Sequence, residues 1–427
     1  MVFRPLVKFK VTIFLDDTPS HRKALAITRI ATFLDSVEEL NIGGRTQYPF
    51  QFQYRFSPTL FRLFRALPAM RQLHTIQLST IFLAETYLYC ILSSPHLNHL
   101  ILYGTQMPKI SRLSLPNPNL RKLTLDSVSW DAVQPLIVHL AASLEYLEFR
   151  SCGFLFEPQS RPQLPSFPSL RELRHHHETS SNDVVLAELF RVSQVTHLHL
   201  FGILDSSQID AFPKNLQHLS TEDVMLTQRT LGTNPMAQLM SLSILRSEEW
   251  GMDHHLVLSA FICNHFPRIT SLHLDIPWSL RNVALVMARS QHNVRTMELS
   301  IFTAGGLVLE GNRLPGIFND YLRNNTLPGV LQRLRLEVVQ HYGKLELGLA
   351  ECSRWIDDDV IHPVKSLGGS DLKSIDVSFV LPGNEYERER RIWKGWDKLP
   401  DGDWRIEGAV CDDENTNARR QLLSIRS

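Results

Sequence analysis

The frame L-x-x-L-x-L recurs along this 427-residue chain, and its spacing constrains the fold more than any other feature. Clear copies are LRKLTL at 120, LEYLEF at 144, LRELRH at 170, VTHLHL at 195, ITSLHL at 269 and LQRLRL at 331. Weaker copies are VEELNI at 37, LHTIQL at 73, LNHLIL at 97, LQHLST at 216, LMSLSI at 239, VRTMEL at 294 and LKSIDV at 372. From 120 to 239 consecutive starts lie 24, 26, 25, 21 and 23 residues apart, a period that points to one short supersecondary unit per repeat. Later gaps of 30, 25, 37 and 41 residues leave room for inserted loops. ISRLSL at 110 lies too close to the copy at 120 to be a full repeat.

Side chains alternate across a strand, so x-L-x-L-x predicts a short strand with both leucines inward and its other residues on the opposite face. Successive strands then pair in parallel. SWDAVQPLIVHLAAS (129–143), SNDVVLAELFRVS (181–193) and WSLRNVALVMARS (278–290) carry apolar residues at helical spacing and predict return helices. VKFKVTIFL (7–15) predicts a first strand, and Thr18-Pro19-Ser20 the start of a helix running to about Asp35. At the other end EYERERRIWKGW (385–396) reads as a charged helix and DWRIEGAV as a last strand. The expected architecture is α/β: a curved horseshoe with a parallel concave sheet and helices on its convex side. Residues 1–36 form an N-terminal cap, 37–380 the repeat array, and 381–427 a C-terminal cap with a polar tail.

FPSLRELRH, HFPRITSLHL, PNLRKLTLDSVS and SLEYLEFRSCGF resemble the irregular leucine-rich repeats of the ribonuclease-inhibitor-like superfamily, especially fungal F-box and leucine-rich-repeat proteins. The similarity covers roughly residues 37–380, with Cys152 matching the family's Asn or Cys at the ninth position. It implies a leucine-rich-repeat solenoid that recognises other proteins, and in its ligase-linked form a substrate-binding receptor of a cullin-type ubiquitin ligase. The opening residues lack the Leu-Pro start and helical spacing of an F-box, so the expected receptor is one without that motif, and docking on the ligase adaptor is in question.

Equal numbers of basic and acidic side chains, 44 each, remove the general electrostatic drive toward nucleic acid or anionic membranes, and nucleic acid is not expected as a partner. No uncharged apolar stretch reaches the length of a membrane span. Five scattered cysteines with no C-x-x-C pair fit a reducing, intracellular setting, cytoplasmic or nuclear. G-x-S-x-G, H-E-x-x-H, P-loop and dinucleotide patterns are missing, so the chain reads as non-enzymatic and without a cofactor.

The frame also assigns faces. Concave positions in the central repeats are Tyr146, Glu148 and Arg150; Glu172, Arg174 and His176; His197, His199 and Phe201; His218, Ser220 and Glu222. Aromatic and arginine side chains often anchor protein interfaces. Tyr146, Arg150, Glu172, Arg174, His176, His197, His199, Phe201, His218 and Glu222 are therefore the expected partner-binding residues. Ser241, Ser243, Ser271, Thr296 and Ser300 make the C-terminal strands blander. The run His175-His176-His177 splits between core, face and turn, and so is no metal site in itself. Lateral stacking instead lines up Glu172, His197 and His218, whose chemistry allows zinc or acid–base catalysis, although a flat ladder spreads the outer pair by about 10 Å, twice the strand spacing. YPFQFQYRF (48–56), with Arg55, Arg62 and Arg65, offers aromatics and arginines that could stack on single-stranded bases or simply pack. Asp357-Asp358-Asp359 reads as a solvated acidic helix start.

Overall fold

A computed structural model describes residues 9–14, 18–29, 34, 36–43, 58–107, 119–152, 164–176, 183–202, 212–222, 238–245, 268–277, 293–303, 330–340, 354, 356–362, 371–381, 390–401 and 403–412. The chain divides into two compact units, Met1–Leu216 and Gln217–Ser427.

In the first unit eight strands lie side by side in chain order, all parallel: β1 (Phe9–Phe14), β2 (Val37–Gly43), β3 (Thr75–Ser79), β4 (His99–Tyr103), β5 (Lys122–Asp126), β6 (Tyr146–Arg150), β7 (Glu172–His176) and β8 (His197–Phe201). Among the described residues five α-helices accompany them: α1 (Thr18–Arg29), α2 (Pro58–Ala66), α3 (Glu85–Leu92), α4 (Trp130–Leu140) and α5 (Asp183–Val192). Frame leucines make the core. Leu120, Leu123 and Leu125, Leu144, Leu147 and Phe149, and Val195, Leu198 and Leu200 are all buried. Each such side chain contributes on the order of 1.5–3 kcal/mol relative to exposure. Trp130 at the start of α4 packs on Phe149, ring centroids 5.7 Å apart, which ties helix to strand.

Strands end on a sharp turn that the repeat reproduces. Thr80, Gly104, Ser127, Ser151 and Gly202, each the residue after a strand, have positive φ. The frame's ninth position then closes the turn. Cys152 donates its Sγ–H to the Leu125 carbonyl at 3.6 Å, and Thr105 donates its hydroxyl to the Leu78 carbonyl at 3.2 Å.

The second unit contains β9 (His218–Thr221), β10 (Ser241–Ile244), β11 (Ser271–Pro277), β12 (Thr296–Thr303), β13 (Arg333–Gln340), β14 (Ser374–Leu381), β15 (Arg390–Lys398) and β16 (Trp404–Asp412). β9 to β14 are parallel, but β14–β15 and β15–β16 are antiparallel. Parallel return needs a crossover of roughly a dozen residues or more, and 382–389 and 399–403 are too short for one, so the chain reverses.

These findings correct the expected fold. The sheet is mixed and only mostly parallel, and the helices are scattered: among the described residues the five α-helices lie in the first unit, and the second shows a π-helical turn, Ile356–Ile361. The expectation of a leucine-rich-repeat horseshoe built on an all-parallel sheet is corrected by the antiparallel β14–β15 and β15–β16 pairs. Of the charged helix expected over 385–396, residues 385–389 lie outside the described residues, and 390–396 belong instead to the strand β15, whose Trp396 is buried. Two neighbouring strands pair with it, and that outweighs local helix preference. WSLRNVALVMARS, ISRLSL at 110 and YPFQFQYRF lie outside the described residues. No helix among the described residues is long and apolar enough to cross a membrane.

Candidate functional site

Five strands of the first unit, β4 to β8, carry one connected set of polar and aromatic side chains at its centre. Register places Thr124 beside Glu148, Glu148 beside Arg174, and Arg150 beside His176, which lies beside Phe201. The hub is Glu148, 4% exposed. Its Oε2 accepts hydrogen bonds from the Tyr146 hydroxyl at 2.6 Å and the Thr124 hydroxyl at 3.2 Å. Its Oε1 receives Arg150 Nε at 2.8 Å and Nη2 at 2.7 Å, with His176 Nε2 at 3.3 Å. Burial alone pushes this carboxyl up, but hydrogen bonds from His176, Tyr146 and Arg150 outweigh it and hold the group well below the ordinary carboxylate range. Glu148 is therefore a fixed anion that positions its neighbours, not a group that exchanges protons near neutrality.

The same carboxylate reaches two strands back. Thr124 donates to Glu148, so its oxygen accepts from His99 Nε2, 3.2 Å away. Burial and the nearby Lys122 lower the pKa of His99. Burial and the hydrogen bond to Glu148 push the Tyr146 hydroxyl well up, so it stays protonated and remains a donor.

One strand further on, the arrangement repeats. Glu172 Oε1 takes Arg174 Nε at 2.9 Å and Nη2 at 2.8 Å, and lies 3.7 Å from His199 Nε2. Burial and Arg174 lower the pKa of His199. The Arg174 guanidinium sits 5.5 Å above the centre of the Tyr146 ring, a cation–π contact. His176 stacks on Phe201 with ring centroids 4.2 Å apart and planes 14° from parallel. In both copies a carboxylate holds the Arg two residues ahead and a His on the next strand, so the coupling runs diagonally across the sheet.

That diagonal corrects the lateral reading. Glu172 and His197 do not turn toward a shared ion: Glu172 is paired with Arg174 and lies by His199, and His197 Nδ1 lies 3.0 Å from the Thr196 hydroxyl. No group of three metal-ligating side chains occurs among the described residues. Of the expected partner-binding set, Tyr146, Arg150, Glu172, Arg174, His176, His199 and Phe201 come together, while His197 flanks them and His218 and Glu222 lie in the other unit. Glu148, the centre of the cluster, was not among them, nor were Thr124 and His99. The signal for Glu148 is the repeated E-x-R within successive strands, Glu148-Phe149-Arg150 and Glu172-Leu173-Arg174. Asp357 is not merely solvated, since Lys394 Nζ lies 2.6 Å from its Oδ2.

Compared with known proteins, the chain matches no family model and no curated protein. The resemblance to F-box and leucine-rich-repeat proteins is therefore withdrawn, and with it the ligase receptor. The reading as a non-enzymatic scaffold with a protein partner on a concave face falls too. Side chains expected to project as interface anchors are instead paired with one another around a buried carboxylate, an arrangement suited to an active or binding site. The exclusion of nucleic acid is also withdrawn, because a stacked imidazole–phenyl pair beside arginines is chemistry that an unpaired base can use.

Proposed function

We propose that the β4–β8 face is an acid–base site acting on an anionic substrate. One observation carries the reading: His176 is fixed through one ring nitrogen by a permanently ionised Glu148 and clamped by Phe201. With Nε2–H donated to the carboxylate, Nδ1 is the ring nitrogen left to serve as a proton acceptor. Arg150 and Arg174 each give Nε and Nη2 to a carboxylate, so their remaining N–H groups are aimed and available for a substrate oxyanion.

Turnover of a panel of phosphate and carboxylate monoesters tests this. Any activity should fall at least about 100-fold in His176→Gln, the order expected when a general base is removed, while Arg174→Lys raises KM. Undiminished turnover in His176→Gln sinks the proposal. A second reading, stacking of single-stranded nucleic acid on the His176–Phe201 pair, rests on that stack. It requires salt-dependent binding of a labelled oligothymidine that Phe201→Ala weakens at least about fivefold, given roughly 1–3 kcal/mol per stacked base.

A further inference from the structure

We infer that the second unit carries a separate site, a serine nucleophile at Ser243 activated by His273 and Asp275, suited to acyl transfer from an ester. The register of β10, β11 and β12 sets Ser243 beside His273 and Asp275 beside Ser300. The Ser243 Oγ lies 2.9 Å from His273 Nδ1. His273 Nε2 lies 3.0 Å from Asp275 Oδ1 and 3.2 Å from Ser300 Oγ. Asp275 fixes the tautomer: Nε2–H points to the carboxylate, and Nδ1 is left to accept the Ser243 proton. All three side chains are half-buried, so the hydroxyl is shielded yet reachable.

This is the nucleophile, base and orienting acid of a serine hydrolase, assembled from neighbouring strands. The charged groups around His273 favour its protonated form once the proton arrives. Burial pulls its pKa down, but the hydrogen bond and charge of Asp275 and the charge of Glu298 more than offset this, against a smaller opposing effect of Arg335. Arg335 is itself paired with Glu298 at 3.0 Å.

In the reaction, Ser243 Oγ forms a bond to the ester carbonyl carbon as its proton passes to His273 Nδ1. Collapse of the tetrahedral adduct breaks the carbon–oxygen bond of the leaving alcohol, which takes the proton from Nδ1. Water then repeats the sequence on the acyl-serine, releasing the carboxylic acid and restoring Ser243. Both backbone edges of β10 are occupied by β9 and β11, so a side chain on a neighbouring strand is a suitable donor to the developing oxyanion. Ser220 is in register with Ser243 on the side away from His273, about 4.8 Å off as one strand spacing, and supplies a hydroxyl.

The test uses the full chain and a fluorophosphonate probe, in which Oγ–phosphorus bond formation expels fluoride. Wild type should give an adduct mapped to Ser243 by peptide mass spectrometry and a burst of p-nitrophenol from p-nitrophenyl acetate. His273→Gln and Asp275→Asn should each slow labelling at least tenfold, with unchanged circular dichroism, while Ser241→Ala leaves the rate within twofold. Absence of a Ser243 adduct in folded wild-type protein overturns the proposal, and that measurement needs no variant. Equal labelling rates in folded His273→Gln overturn it as well.

Discussion

Glu148 illustrates how one residue can organise a site without doing its chemistry. Its two oxygens accept from Tyr146, Thr124, Arg150 and His176, so removing the negative charge leaves four donors facing a weaker acceptor. Glu148→Gln is expected to cost about 2–4 kcal/mol in urea denaturation, the range for breaking a buried, charge-assisted network. A loss below about 0.5 kcal/mol, within the scatter of ordinary surface substitutions, contradicts the hub assignment. His175 makes the opposite prediction. It occupies the frame's sixth position, is 1% exposed and lies against Phe149, ring centroids 6.5 Å apart. His175→Leu should leave melting unchanged or raise stability by about 1 kcal/mol, since an apolar side chain suits that site better than an imidazole. A large drop in melting temperature speaks against it.

At the scale of elements, the strand-and-leucine pattern was legible because alternation leaves little choice. A residue two positions from a buried leucine on a strand shares its face, and the described copies all place their leucines in the core. The two helices that periodicity predicted within the described residues formed as α4 and α5. β15 was misread because its local charge pattern favours a helix, while its partners β14 and β16 come from elsewhere in the chain. Close packing of strands also leaves a mark. A Cβ added at Gly43 on β2 meets the Cβ of Ser79 on β3 at 2.8 Å, so Gly43→Ala should destabilise by about 1–3 kcal/mol in thermal or chemical unfolding. Wild-type stability in that variant contradicts the close approach.

For the whole molecule, the two units carry histidines of opposite character, and acid should separate them. In the first unit His99 and His199 have lowered pKa values. Their contribution is present above the unfolded value of about 6.5 and is lost as pH falls through the lower folded values. In the second unit His273 is raised. Its contribution is complete below about 6.5 and is lost as pH rises through the higher folded value. Hydrogen exchange between pH 7.5 and 5.5, corrected for intrinsic rates, should show β4–β8 losing protection relative to β10–β12 on acidification. Parallel changes in both units contradict these assignments. Below about pH 4.3 Glu148 adds to the loss in the first unit, because its folded pKa is depressed.

Within the repeats, the amino-acid pattern alone was enough to locate the strands, the residues they bury and the side chains that share a face, because all three follow from the two-residue period of a strand and the frame that repeats it. β15, outside the frame, was not legible in this way. The pattern could not determine which of those side chains meet. The lateral row Glu172, His197 and His218 and the diagonal pairs Glu148–His176 and Glu172–His199 are equally consistent with the pattern. Likewise Ser243 reads as bland until His273 is set beside it. Strand register and the lean of each side chain choose among these pairings, and both are set by contacts between segments distant in the chain. The direction of the last two strands was decided the same way, by short connections that left the chain no path to a parallel return.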